Sequence, residues 1–425
     1  MKIAMINHSD LSGGAALGSY RLFEALSYKG HDVSLYVGLK ISSRDDVYGL
    51  NNSHLAISRF LKKLNHIPIK FQSWRNNRDI PEFNVHIIPV SLIDFDAINQ
   101  ADIVYIHWIA GVFLNINDLK KIKKPIIWKF ADLWAATGGC HYTHGCDGFT
   151  GECGKCPQLM SNTTRDISHS QWTKKYKSFK NIDITVVTPS RWLSIETGKS
   201  KIFSDKKIVH ISNGIDTDRY TNRDKKQSRM ALGLDPDKKY LLIGAENYSG
   251  NPRKGYVYAV KVLSELALSC STKFELMIVG GNGSALHTRE LEDIKKTDFG
   301  RIADHNTLND IYSAADLFIC TSIEENFSNM ILESLACGTP VSAFNTGGNP
   351  EMIEHGQNGC LAENMNAEEM ASQIKSFLNS HDKHVAMSNN ARMKVTSEFT
   401  YQKFVEKYIE LMEQTSKRQG IIDAA

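Results

Sequence analysis

Residues 315–353, ADLFICTSIEENFSNMILESLACGTPVSAFNTGGNPEMI, decide the fold of this chain. An apolar run over residues 317–321 stops at a polar loop, and apolar residues at helical spacing then continue to Gly338. A second short strand is predicted over residues 341–344, and the pair Gly347-Gly348 opens another helix. Two successive strand–loop–helix units predict a parallel α/β sheet, in which ligands bind beyond the carboxyl ends of the strands.

Two glutamates flank the start of the helix predicted in this stretch. Glu325 lies in the preceding loop and Glu333 lies inside the helix, whose side chains lean back toward its N-terminus. The first N–H groups of a helix form an anion site, here in the segment Asn326, Phe327, Ser328 and Asn329. One carboxylate for sugar hydroxyls, these amides for a diphosphate and a second carboxylate for a ribose would bind a nucleotide sugar. The residues alone equally allow a surface glutamate beside an ordinary helix N-cap.

The same stretch closely resembles the signature of the retaining glycosyltransferases of family 4. The glutamate pair, the ACGTPV turn and the GGNPEMI loop occur in the order and spacing of that family, and the resemblance covers nearly the whole chain. It implies the GT-B fold, an α/β architecture of two facing Rossmann-like domains with parallel sheets, whose C-terminal helix crosses back to the N-domain. We therefore expect an acceptor domain over residues 1–200 with the returning helix over 400–425. A nucleotide-sugar-binding domain is expected over residues 201–399.

The composition is that of an ordinary globular protein, with 42% hydrophobic and 23% charged residues. A length of 425 residues suffices for two domains, each with its own core. The net charge of +3 gives no sign of nucleic-acid binding. No apolar run approaches the roughly 18–20 residues of a membrane span, and the opening MKIAMINHSD is typical of a strand rather than a signal peptide. We expect a cytoplasmic enzyme.

Two loops of the N-terminal half are candidates for ligand contacts. Gly13-Gly14 follows the first predicted strand and opens a helix. In the resembling family this loop approaches the donor diphosphate, although a structural turn also explains two glycines. The strand ADIVYIHWI, residues 101–109, contains His107-Trp108 near its end, which lies near the acceptor in the resembling family. A buried, satisfied histidine is the alternative interpretation of His107.

The segment ADLWAATGGCHY departs from the resembling family. Many relatives carry His-Asp before the Leu/Met-Trp pair, but this chain has Ala131-Asp132. The missing histidine usually contacts the donor sugar or an acceptor hydroxyl. Either Asp132 or His107 takes over its role, or the activity is reduced.

Four of the eight cysteines, Cys140, Cys146, Cys153 and Cys156, lie close together in a loop rich in Gly, Thr and Asp. Their spacing, which closes with Cys-x2-Cys, suits a tetrahedral structural zinc that would order a loop lacking apolar residues. A similar insertion, here residues 138–160, occurs in the subgroup of the resembling family that builds colanic acid, capsule and O-antigen polysaccharides. Free or redox-active thiols and disulfides are the alternatives, and a catalytic metal is not expected.

Residues 59–78, RFLKKLNHIPIKFQSWRNNR, form a basic stretch. They include six Lys and Arg and no acidic residue, interleaved with apolar and aromatic residues. Such a stretch can lie on an anionic membrane surface. We hypothesise that it docks the N-domain peripherally on the inner membrane. The alternative is a solvated basic helix whose apolar side packs on the domain.

Cations and glycines in the C-terminal half complete the candidate donor site. Lys254-Gly255 matches the Lys-Gly of the resembling family, whose ammonium binds the β-phosphate, and Arg253 substitutes for the family's usual arginine. Such cations would neutralise the charge on a leaving diphosphate, although solvated cations would give the same pattern. The GGNG loop that contains Gly281 lacks the Gly-Lys-Ser/Thr of a P-loop, which excludes a P-loop ATPase.

We predict a retaining hexosyltransferase that uses a UDP- or GDP-sugar and a glycan or lipid-linked saccharide acceptor in surface polysaccharide biosynthesis. The predicted catalytic residues are Glu325, Lys254, Arg253, Asp132 and His107. The predicted nucleotide-sugar contacts are Gly13, Gly14, Gly281, Asn326, Phe327, Ser328, Asn329 and Glu333. A non-catalytic scaffold subunit of a transferase complex, favoured only by Ala131, and a nucleotide-sugar epimerase, disfavoured by the glutamate spacing, are the alternatives.

Overall fold

The computed structural model describes residues 1–76, 82–88, 90–111, 113–245, 248 and 250–423. The chain divides into two compact units, one comprising Met1–Ile211 with Val405–Ala425 and the other comprising Ser212–Phe404. The units divide after Ile211 and after Phe404, whereas the predicted boundaries fall after residues 200 and 399. No helix among the described residues is long and apolar enough to cross a bilayer.

The first unit is built on a sheet of seven strands: β1 Lys2–Ser9, β2 Asp32–Leu39, β3 Val47–Gly49, β4 Ile103–Ile106, β5 Ile126–Lys129, β6 Ile184–Thr188 and β7 Lys207–His210. Their order is β3-β2-β1-β4-β5-β6-β7, and every pair is parallel. The helices between these strands are α1 Gly14–Tyr28, α2 Asn52–Asn76, α3 Phe95–Ile98, α4 Ile167–Phe179 and α5 Arg191–Lys199.

The second unit contains six strands: β8 Lys239–Ala245, β9 Phe274–Gly280, β10 Lys296–Asp298, β11 Leu317–Cys320, β12 Val341–Phe344 and β13 Gly359–Ala362. They form a parallel sheet in the order β10-β9-β8-β11-β12-β13. The helices are α6 Lys225–Ala231, α7 Tyr256–Ser269, α8 His305–Ala314, α9 Asn329–Ala336, α10 Asn349–Met352, α11 Ala367–Leu378, α12 His381–Glu398 and α13 Tyr401–Asp423. From Val405 onward, α13 belongs to the first unit.

Two parallel sheets confirm the predicted α/β class. In both sheets the buried strands consist largely of apolar residues, as expected when helices cover both faces. The strand order reverses between β1 and β4 in the first unit and between β8 and β11 in the second. Ligands of such sheets bind beyond the carboxyl ends of the strands at these switch points. Ligand sites are therefore expected in the loops that follow these four strands.

A buried carboxylate ties the start of β11 to helix α6. Asp316, which is 3% exposed, accepts hydrogen bonds from the backbone N–H of Tyr240 (2.8 Å) and from Nη2 of Arg229 (2.8 Å). Arg229 is also buried and donates to two backbone carbonyl oxygens. Burial raises the pKa of Asp316, but the charges of Lys225 and Arg229 outweigh this effect and hold the pKa below its usual value. The two buried charges are therefore paired.

Replacing Asp316 with alanine is expected to lower the free energy of unfolding by about 3–5 kcal/mol, because it leaves the Arg229 guanidinium buried without its counter-charge. Urea denaturation followed by circular dichroism measures the loss. The pKa of Asp316 is lower in the folded than in the unfolded chain. Its stabilising contribution is therefore present above about pH 4 and is lost as the pH falls further.

The matched control is Asp237→Ala. Asp237 is an exposed partner of Lys226 at 2.6 Å, and exposed pairs contribute little to stability. Its denaturation midpoint should equal that of the unchanged protein. Equal losses in both variants would contradict the assignment of Asp316.

Candidate active site

Two loops meet at the switch point of the second sheet. The loop after β8 ends in a short 3-10 turn, Pro252–Lys254, and Gly255 then starts α7. A Cβ atom on Gly255 would lie 1.8 Å from the carbonyl oxygen of Thr321, the residue that follows β11. Gly255 also has a φ of +69°, which other residues adopt only at a cost. Glycine at this position therefore allows the two loops to approach closely.

The close approach of these loops brings together three of the predicted catalytic residues, Arg253, Lys254 and Glu325. Oε2 of Glu325 lies 2.7 Å from Nζ of Lys254 and 3.2 Å from Nη1 of Arg253. Arg253 and Glu325 are buried, whereas the Lys254 side chain keeps 25% of its surface exposed. Burial raises the pKa of Glu325, but the charges of Lys254 and Arg253 outweigh it and lower the pKa to about 2. The carboxylate is thus ionised, and the lysine is the member of the cluster that a ligand can reach.

The Gly-Gly turn after β12 supports the backbone of Glu325. The N–H of Gly348 donates to the carbonyl oxygen of Glu325 at 2.9 Å. Gly347 has a φ of +56°, and a Cβ atom there would lie 1.8 Å from the same carbonyl oxygen. The glycines of the predicted loop therefore set the position of the glutamate.

The second glutamate is held by two tyrosines that the sequence analysis did not single out. Oε2 of Glu333 accepts a hydrogen bond from the hydroxyl of Tyr312 (2.8 Å), and Oε1 accepts one from Tyr220 (3.1 Å). Burial raises the pKa of Tyr312 well above its usual value, so this hydroxyl remains a donor. Tyr312 comes from α8, and Tyr220 precedes α6. Glu333 is therefore oriented by residues remote in sequence.

The other predicted nucleotide contacts lie around α9 and β9. Asn326 and Phe327 are buried, Ser328 is the N-cap of α9 without a side-chain cap bond, and Asn329 is exposed. Gly281 directly follows β9, which neighbours β8 in the sheet. All five residues follow the carboxyl ends of strands of the second sheet.

In the first unit, Gly13 and Gly14 form the start of α1 after β1. Gly13 has a φ of +90°, which favours glycine, and its missing side chain faces no atom within 4 Å. Both residues are exposed. The conformation supports the turn interpretation, and the open space leaves room for a ligand.

His107 is buried against the sheet. Its N–H donates to the carbonyl oxygen of Ile6 at 3.0 Å, and its own carbonyl accepts from Nε1 of Trp128 at 3.1 Å. Burial and the nearby Lys129 ammonium hold the pKa of His107 well below its usual value. Among the described residues, its Nδ1 has no hydrogen-bond partner. His107 is therefore a neutral imidazole inside the unit.

Asp132 pairs with a histidine of the cysteine-rich insertion. Its Oδ2 lies 2.7 Å from Nδ1 of His141, and its Oδ1 accepts from the backbone N–H of Trp134 at 2.8 Å. Burial raises the pKa of Asp132, but His141 and these hydrogen bonds outweigh it and lower the pKa. The pair lies just beyond the carboxyl end of β5. The spacing of nine residues in a loop gives no sequence signal for this contact.

The four clustered cysteines line one small cavity of about 20 Å³, together with Phe83, Phe149 and Pro157. All four are free thiols, and burial raises the pKa of Cys140 and Cys153. Across the described part of the chain, no group of three or more His, Cys, Asp or Glu is placed so that it could hold a metal ion. The zinc site predicted from the spacing is thus not supported, because the thiols share a cavity without forming a ligand set.

The chain is similar in sequence to known glycosyltransferases. Residues 224–394, within the second unit, match the family model for glycosyl transferases group 1. The chain is 22% identical to an uncharacterized glycosyltransferase of Methanocaldococcus jannaschii, over 99% of this chain and 100% of that protein.

Solved structures share the whole fold. Sucrose-phosphate synthase from Thermosynechococcus elongatus superposes with a TM-score of 0.68 at 17% identity, over 100% of both chains. HepE from Anabaena, in a complex with UDP and glucose, superposes with a TM-score of 0.65 at 17% identity, over 97% of this chain and 100% of that chain. These likenesses confirm the GT-B fold, and the matches together support a glycosyltransferase of the GT-B type.

The support of Glu325 by Gly347 is tested with Gly347→Ala. The added methyl would collide with the Glu325 carbonyl, and the positive φ adds about 1–2 kcal/mol of backbone cost. Gly356→Ala is the matched control, since Gly356 has a φ of +77° with no atom within 4 Å. Urea denaturation should show a loss about 1–3 kcal/mol larger for Gly347→Ala than for the control. Equal losses would mean that the close contact with Glu325 is unimportant.

Proposed function

We propose that this chain is a retaining glycosyltransferase of family 4, which transfers a hexosyl group from a UDP- or GDP-sugar. The acceptor would be a glycan or a lipid-linked saccharide in surface polysaccharide assembly. The observation that carries the proposal is the cluster of Lys254, Arg253 and Glu325 at the switch point of the second sheet. HepE, which shares the fold, has been crystallised with UDP-glucose, and this favours a nucleotide-sugar donor.

The ion cluster suggests how a donor would be bound. A diphosphate carries more negative charge than one carboxylate, so it would compete with Glu325 for the Lys254 ammonium. The carboxylate released in this exchange could accept hydrogen bonds from the sugar hydroxyls, while the backbone contact with Gly348 keeps it in place. The two cations would then neutralise the charge that develops on the leaving diphosphate.

Glu333 is the proposed partner of the ribose. Tyr312 and Tyr220 each occupy one oxygen of its carboxylate. A carboxylate oxygen can accept from more than one donor, so a carboxylate oriented in this way would suit hydroxyl hydrogens of a ligand. Vicinal ribose hydroxyls would suit such a bidentate acceptor.

Lys254→Ala and Glu333→Ala are each expected to lower kcat/KM for the nucleotide sugar by about tenfold or more, because each loses a charged contact with the donor. Transfer assays with UDP- and GDP-sugars measure this loss, and titration calorimetry measures nucleotide affinity. Lys226→Ala, on an exposed lysine of α6, is the control and should behave like the unchanged protein. Wild-type rates in both site variants would refute the donor site. Tight nucleotide binding without transfer to any acceptor would instead favour the scaffold alternative.

Residues 59–76 of the basic stretch lie on helix α2, which is anchored by one face, whereas residues 77 and 78 lie outside the described part of the chain. Leu61 and Ile69 are buried, and Oδ1 of Asn65 accepts from the backbone N–H groups of Ile87 (2.8 Å) and Ile88 (3.0 Å). The other face carries large apolar side chains that remain exposed, namely Ile57, Phe60, Ile67, Phe71 and Trp74, the last at 77%. Their spacing of three, seven, four and three residues places them along one stripe of the helix.

We also propose that this stripe docks on an anionic lipid surface. Arg59, Lys62, Lys63 and Lys70 are exposed on the same helix, and residues 52–76 contain no acidic side chain. Apolar side chains would enter the interface while the cations meet the lipid headgroups. Such docking would suit a lipid-linked acceptor.

Flotation with vesicles tests the lipid contact. The protein should float with vesicles that contain phosphatidylglycerol and remain unbound with phosphatidylcholine alone, and Phe71→Ser/Trp74→Ser should abolish flotation. Leu268→Ser, at an exposed apolar residue of α7, is the control and should float normally. Absence of flotation for the unchanged protein on anionic vesicles would remove this proposal without affecting the donor site.

A further inference from the structure

The carboxylate of Asp132 is held by two groups. Oδ1 accepts from the N–H of Trp134, and Oδ2 contacts Nδ1 of His141 at 2.7 Å. A carboxylate only accepts hydrogen bonds, so Nδ1 of His141 must carry the hydrogen of this contact. In a neutral imidazole the other nitrogen, Nε2, then presents a lone pair.

The backbone and ring of His141 are both fixed. The N–H of His141 donates to the carbonyl oxygen of Glu82 (3.0 Å), and its carbonyl accepts from Leu133 (3.0 Å). The Trp108 ring stacks on the imidazole, with centroids 6.1 Å apart and planes 23° from parallel. Among the described residues no hydrogen bond to Nε2 is found, and 9% of the side chain stays exposed. Nε2 is therefore an oriented acceptor within reach of a ligand.

The pair of Asp132 and His141 lies where ligands bind in parallel α/β sheets. Trp108 follows β4 and Asp132 follows β5, on the side of the sheet where the strand order reverses between β1 and β4. Neighbouring histidines are less suited to contact a ligand there. His107 is buried at 4% exposure, and Nε2 of His86 contacts the carbonyl oxygen of Ala110 at 3.0 Å.

We propose that Nε2 of His141 accepts a hydrogen bond from the hydroxyl of the saccharide acceptor, and that Asp132 positions the imidazole for this contact. The inference rests on the proposed function, since it names an acceptor contact of the same transferase. A sugar hydroxyl can donate to Nε2, and the flat Trp108 ring offers a surface for the apolar face of a sugar. The contact orients the hydroxyl and involves no covalent step.

His141→Asn separates the contact with substrate from the contact with Asp132. The asparagine amide can still donate to Asp132, as Nδ1 does, but it has no counterpart of Nε2. We expect kcat/KM for the acceptor to fall about tenfold or more, while nucleotide affinity and the melting temperature are retained. His141→Gln, whose longer amide reaches toward the position of Nε2, should recover part of the activity.

His144→Asn is the matched control in the same loop. His144 is exposed and has a φ of +50°, a conformation that asparagine tolerates. This variant should turn over like the unchanged protein. Wild-type turnover by His141→Asn would overturn the proposed contact.

A readout independent of activity distinguishes failure of this inference from failure of the proposed function. Nitrogen-15 NMR of the histidine rings, with His141 assigned by its absence in His141→Asn, should show Nδ1 protonated and Nε2 unprotonated. Asp132→Asn should disturb that tautomer. An Nε2-protonated ring would overturn the proposed pairing whether or not the protein transfers sugar. The expected tautomer in a protein that neither binds nucleotide nor transfers sugar would contradict the proposed function, and with it the role of His141 in transfer.

Discussion

The carboxylate of Glu325 is buried, and a buried charge persists in a folded protein only when it is paired. Lys254 supplies the closest counter-charge from 71 residues earlier in the chain. The pairing requires the loops after β8 and β11 to approach closely, which Gly255 permits. Gly347 allows the loop after β12 to contact the backbone of the glutamate. The loops after β8, β11 and β12 are thus arranged around one ion cluster.

The first sheet also presents a paired carboxylate beyond the carboxyl end of one of its strands, but with different chemistry. Asp132 is paired with an imidazole rather than with cations, and a tryptophan stacks on that imidazole. An ion cluster can exchange its carboxylate for a diphosphate, whereas an oriented imidazole suits a neutral hydroxyl. The two edges would therefore suit the two kinds of substrate that a transferase needs, a charged donor and an uncharged acceptor.

Much of the fold and part of the site could be predicted from the sequence. Strands β11 and β12, and the helix between them, follow from apolar runs and glycine turns, because these patterns express local backbone preferences. Lys254 and Glu325 could be singled out by motif. The tyrosines that hold Glu333 could not, since their positions depend on how α8 and the segment before α6 pack. The zinc prediction is not supported for a related reason, because cysteine spacing does not determine where thiols point after folding.

The sequence by itself determined the strands and helices of residues 315–353, the parallel α/β class, and that charged and glycine-rich loops follow particular strands. These properties depend on residues close together in the chain. Tertiary structure alone decided the partners of the key side chains: Lys254 with Glu325, tyrosines with Glu333, and His141 with Asp132. It also buried His107 and left the apolar stripe of α2 exposed. The physical reason is that strand order and loop packing bring such partners together. Neither can be derived from the local pattern of residues.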